Sequence, residues 1–247
     1  MCTLTVVPQP RGRYRVAFNR DEARDRPPAL PPQRRRFGDR NAILPVDPVS
    51  GGTWLAVNDA GLLFALTNRN PPSSVPSPDR SRGEIILSLL DGGTGAEVAR
   101  RLGQLEVERY APFRLLVLAG PGLTVLTWDG ATRRDELVAR VTSPLVFTSS
   151  GLGDHLAEGP RVELFEGLVV QARSREAGQD VYHRHVWPDR PHLSVNMSRA
   201  DARTVSHTLV ELSPHEAMMT YLPDAPSAEF DTVEIAMARL LISRPDH

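Results

Sequence analysis

The chain has 247 residues, a formal net charge of -1 and one cysteine. A near-neutral balance offers no field for nucleic acid or an anionic membrane surface, and a lone cysteine excludes a disulfide framework or a cysteine-built zinc cage. The 29 Lys and Arg positions are all arginine, which excludes a Schiff-base lysine and a phosphate-loop lysine. No run approaches the roughly 18 apolar residues of a membrane span, and the N-terminus has no apolar signal region. The expectation is a soluble, cytoplasmic protein, read as a single domain over residues 1–247, with no membrane span and no nucleic-acid partner.

In chain order, Thr3 to Val7 is β-branched and apolar, Pro8 to Gly12 supplies turn residues, and Tyr14 to Phe18 alternates. The pattern predicts a hairpin that returns Asn19, Arg20 and Asp21 to the neighbourhood of Cys2. Cys2 follows the initiator methionine and is small, so removal of Met1 is expected. An N-terminal cysteine then carries a thiol and an amine on one residue, a nucleophile with its own base. An adjacent arginine favours the thiolate. The alternative is a buried structural cysteine, a common fate of free thiols.

Arg24 to Pro48, rich in Pro and Arg, reads as a long surface loop, with Arg34-Arg35-Arg36 as a solvated face. Gly51-Gly52-Thr53-Trp54 leads into a second hairpin, Leu55–Val57 and Leu62–Thr67, ending on Asn68-Arg69. The shared Asn/Arg endings predict two hairpins adjacent in one sheet, with their ends on one rim. Asn68 offers an amide to an oxyanion, or else opens the following Pro-Pro loop. Helices are predicted at Ser81–Leu90, capped by Ser81, and at Ala96–Leu105. Strands follow at Phe113–Ala119, Leu123–Trp128, Val138–Val141 and Leu145–Thr148. A helix opening at Gly159-Pro160-Arg161 runs to Val170, and Ser174–Arg199 reads as irregular. The three histidines there have no acidic or cysteine partner at a recognised spacing, so no metal is assigned. Strands at Arg203–Val210, Glu216–Leu222 and Phe230–Ala236 close the chain. Consecutive hairpins with interposed helices predict an α+β protein of two antiparallel sheets.

Met1-Cys2-Thr3, Asn19-Arg20-Asp21-Glu22, Gly51-Gly52-Thr53-Trp54 and the Asn58–Asn68 hairpin fall in order and together resemble the NRDE family, also called the transport and Golgi organisation 2 family. That family is similar to the N-terminal nucleophile hydrolases, which implies a four-layer αββα sandwich. Bile salt hydrolases and penicillin V acylases are the amidase relatives. The resemblance implies Cys2 as nucleophile, its freed amine as base, Arg20 and Asp21 flanking them, Asn68 at an oxyanion position and Arg203 near the nucleophile. Asn19, Trp54, Arg69, Ser149 and Ser150 are candidate substrate contacts. The amidases carry a mid-chain Asn where this chain reads Thr148-Ser149-Ser150. The implied activity is hydrolysis of a non-peptide carbon–nitrogen amide bond in a small molecule, with no cofactor. The alternative is a non-catalytic protein on the same fold that binds haem, acyl-CoA or another lipid-like ligand. A third reading makes the 24–48 loop a docking surface.

Overall fold

The computed structural model describes residues 2–71, 78–224 and 235–243. Strands β1 (Cys2–Gln9) and β2 (Arg13–Ala23) form the predicted hairpin, turned at Arg11 and Gly12, both with positive φ. Its register sets Cys2 opposite Arg20 and Leu4 opposite Phe18.

The segment expected as a long loop instead holds a hairpin of β3 (Leu30–Phe37) and β4 (Arg40–Val46). β3 is an edge strand, where two prolines leave no ladder bond unmade and exposed arginines discourage edge-to-edge pairing. The arginine triplet is a solvent-facing row there. β5 (Leu55–Asn58) and β6 (Leu62–Asn68) form the second predicted hairpin. After α1 (Gly83–Leu87) and α2 (Gly95–Gly103) come β7 (Phe113–Ala119), β8 (Gly122–Trp128), β9 (Arg133–Val138) and β10 (Leu145–Ser149). β9 lies before the expected Val138–Val141. It is the other edge of its sheet, and its Arg-Arg-Asp-Glu run suits an edge better than a core. Ser81 lies outside α1, and only the Gly83 amide reaches its hydroxyl.

Helix α3 (Asp154–Phe165) begins five residues before the predicted opening, so Pro160 sits inside it, and a π-helical turn (Glu166–Val170) extends it. The stretch expected as irregular contains α4 (Arg175–Arg184), with Ser174 as its cap. α4 buries Gln179 and His183 rather than an apolar stripe, so hydrophobic periodicity does not reveal it. The chain ends in β11 (Ala202–Leu212), β12 (Glu216–Leu222) and β13 (Ala236–Leu241). The strand expected at Phe230–Ala236 lies, except for its last two residues, outside the described residues.

The strands form a six-stranded sheet ordered β10-β1-β2-β11-β12-β13 and a seven-stranded sheet ordered β3 through β9, each antiparallel throughout. Leu4, Val16, Phe18 and Tyr221 meet Ile43, Leu55, Val57 and Leu116 between the sheets. The outer face of the larger sheet packs Phe64, Leu66 and Leu115 on α1 and α2 through Ile85, Ile86 and Leu102. Val7 of the smaller sheet packs with Phe165, Val169 and Tyr182 of the α3–α4 layer. This is the four-layer αββα sandwich. The two polar-ended hairpins are not neighbours in one sheet. They lie in opposite sheets, and the sandwich brings their ends together. No helix among the described residues is long and apolar enough to cross a membrane.

Candidate active site

At the rim where the hairpin ends meet, a cleft of about 240 Å³ is lined by Cys2, Arg20 and Asp21 from one sheet and by Trp54 and Asn68 from the other. Cys2 keeps 7% of its surface exposed and forms part of the cleft wall. Its backbone nitrogen donates to the Ser149 hydroxyl at 3.0 Å, a contact dictated by the Cys2–Ser149 register of β1 and β10. Burial pushes the Cys2 thiol up, and the Asp21 charge adds to this, against a hydrogen bond from the Asp21 amide and the pull of Arg20. Arg20 favours the thiolate, as an adjacent arginine should, but desolvation is the larger effect.

Arg20 is committed elsewhere. Its guanidinium bonds Asp47 at 2.6 Å, reaches Glu22 at 3.2 Å and stacks on Trp54 at 4.4 Å from the ring centroid. Arg26 meets the same Asp47 carboxylate at 2.8 Å. Burial works against Asp47, yet the bonds from Arg26 and the Ser50 amide hold its carboxyl below the usual range. Asp21 accepts from the Thr204 hydroxyl at 2.6 Å. Burial pushes its carboxyl up, opposed by the charge of Arg161.

Strand alternation sends Asn19 to the opposite face from Arg20, away from the cleft. Its amide donates to the carbonyls of His183 and Val195, and its oxygen faces the rings of His183 and His207 at 2.9 and 2.8 Å. Asn19 is a bolt between sheet and α4, which corrects its expected place at the substrate. Arg203 stands at the start of β11 as expected, but its guanidinium pairs with Asp224 and it does not line the cleft. Its neighbour Thr204 is the residue that touches Asp21. Arg69 pairs with Asp154 at 3.1 Å and lines an adjoining pocket. Ser150 is buried, its amide donating to Asp154 at 2.8 Å, so it too lies off the cleft.

Arg82, Asp47 and Arg161 escape the sequence reading because their partners are remote in the chain. Fully buried Arg161 donates to the hydroxyls of Thr3 and Thr148 and to the carbonyls of Ser149, Leu193 and Ser194, bracing the strands that carry Cys2 and Ser149. No group of three His, Cys, Asp or Glu among the described residues is arranged to hold a metal.

A sandwich of this kind, with a cysteine second in the chain at the rim of the inner sheets, is an N-terminal-nucleophile-hydrolase-like fold. An N-acylethanolamine-hydrolyzing acid amidase ortholog of Caenorhabditis elegans superposes with a TM-score of 0.55 at 12% identity, covering 84% of this chain and 92% of that one. A mutant conjugated bile acid hydrolase from Clostridium perfringens gives 0.52 at 10% identity, covering 96% and 92%. Another variant of that hydrolase gives 0.54 at 10%, covering 98% of each chain. At these identities the likeness is one of fold. The chain belongs to the Transport and Golgi organisation 2 family, whose model matches residues 1–128. Comparison with curated protein sequences returns no match.

Proposed function

We propose that the protein is an N-terminal cysteine hydrolase acting on a non-peptide amide bond of a small molecule. We read its 247 residues as one domain, and a cytoplasmic location belongs to the same reading. The observation that carries it is the junction at Cys2: the sulfur borders the cleft while its own nitrogen rests on Ser149 at 3.0 Å. With Met1 removed, that nitrogen is an amine with an unperturbed pKa of about 7.7–8.0, beside a thiol that burial keeps protonated. The amine takes the thiol proton as the sulfur attacks the carbonyl carbon. The Asn68 carboxamide, which has no hydrogen-bond partner among the described residues, faces the oxygen on which charge develops. The ammonium returns the proton to the leaving nitrogen, and water, with the amine again as base, cleaves the thioester. Ser149 is thus a support for the amine rather than an oxyanion donor.

The test compares wild type with Cys2→Ala, by intact mass and by turnover on a panel of acyl amides. The expectation is a mature wild-type chain without Met1 and turnover only in wild type. An active mature protein that retains Met1 overturns the mechanism, since its Cys2 nitrogen is an amide.

A further inference from the structure

Of the arginines around the cleft, Arg20 and Arg26 are neutralised by Asp47 and Glu22, and Arg69 by Asp154. Arg82 differs. It is half-buried just before α1, and one nitrogen donates to the Pro112 carbonyl at 2.8 Å. No carboxylate of the described residues comes within ion-pair distance of it, and burial makes its charged form costlier than in water. Its side chain borders two spaces at once: the Cys2 cleft and the adjoining pocket of about 630 Å³ that Arg69, His155 and the Gly151–Gly153 turn also line. None of the described residues that line that second pocket is acidic. Glu22 acts on Arg82 only through longer-range attraction, so this half-desolvated guanidinium has no carboxylate in direct contact among the described residues, and a ligand oxyanion supplies one.

We propose that Arg82 is a binding residue for a carboxylate or phosphate on the molecule that reaches Cys2. The substrate class is then an anionic acyl compound, its carbonyl at the sulfur and its charged end across Arg82 in the second pocket. The word substrate rests on the hydrolase reading above; the anion site does not.

Cys2 is the sole cysteine, so alkylation of the full chain reports on this cleft alone. Iodoacetamide and iodoacetate react identically, the sulfur displacing iodide from the same carbon, and differ only in the carboxylate. Their rate ratio cancels any change in the thiol itself. The iodoacetate-to-iodoacetamide ratio is expected to fall about tenfold in Arg82→Met, the effect of losing one modest charge-assisted contact, and to recover in Arg82→Lys. Inorganic phosphate is expected to slow iodoacetamide alkylation of wild type and to lose that protection in Arg82→Gln, which also covers the case in which the Met variant does not fold. An equal ratio in wild type, Met and Lys forms, or equal phosphate protection with and without the guanidinium, overturns the proposal. A protein that turns over no acyl amide leaves both readouts intact, so failure of the hydrolase reading is separately visible.

Discussion

Gly52 and Gly83 meet backbone to backbone: a Cβ added at Gly52 would stand 2.6 Å from the Gly83 Cα. The Thr53 amide donates to the Gly83 carbonyl at 3.2 Å, so the Gly51-Gly52-Thr53-Trp54 segment and the start of α1 form one wall of the cleft. Gly52→Ala must push α1, and Arg82 with it, outward. The expected cost is about 1–3 kcal/mol, typical of overpacking a tight contact, read as a lower urea midpoint. A variant with an unchanged midpoint shows that the wall yields without strain.

Cys2 and Asp21 give opposite signs in two assays. The Asp21 charge raises the thiol pKa, after the larger contribution of burial. Asp21→Asn is therefore expected to increase iodoacetamide alkylation at neutral pH. The family resemblance sets Asp21 beside Cys2 and its amine, where a carboxylate steadies the ammonium that forms in the proposed reaction, so turnover is expected to fall in the same variant. Alkylation that slows along with turnover would show that the carboxylate acts through folding instead.

The parts of this architecture that are legible in the sequence are local. The β1–β2 and β5–β6 hairpins follow from alternation and turn residues, and with them Cys2, Arg20, Asp21, Trp54 and Asn68 reach one rim. β3 and β9 are hidden because edge strands are rich in the Pro, Arg and Glu that normally signal loops. α4 is hidden because it lies on a polar patch of sheet around Thr5, Arg15 and Asn19. Asp47, Arg82 and Arg161 each depend on partners remote in the chain: Arg20 and Arg26 for Asp47, Pro112 for Arg82, Thr3 and Leu193 for Arg161. Asn19 was separable from Arg20 by strand parity alone, since neighbours on a strand face opposite sides.

Helix α4 approaches the π-helical turn so closely that a Cβ at Gly178 would lie 1.9 Å from the Leu168 carbonyl oxygen. A backbone atom cannot rotate aside, so Gly178→Ala must separate the two helices. A loss of about 3 kcal/mol, the upper end of overpacking costs, is expected in chemical denaturation. Turnover of the surviving folded protein should change less, because the site lies on the other face of the sheet. A stability equal to wild type would contradict the close approach.

His183 and His207 make stability depend on pH. The Asn19 amide donates to two carbonyls, so its oxygen must accept from the Nδ1–H of both rings. His183 Nε2 meets the Thr5 hydroxyl at 2.7 Å, and burial favours the neutral form of both rings. Burial lowers His207 to about 4, with the Arg15 and Arg184 charges assisting and Asp180 opposing. Burial and the neighbouring His207 also place His183 well below its usual value. A depressed histidine contributes stability that is complete above its unfolded pKa of about 6.5 and is lost as pH falls toward its folded value. For His207 the contribution is on the order of 3 kcal/mol across that window. Urea midpoints are expected to drop from neutral pH to about pH 4.5 in wild type, and to drop less steeply in His207→Gln, which has no ring to protonate. Parallel slopes in the two proteins would show that His207 titrates normally and that the network around Asn19 is open to water.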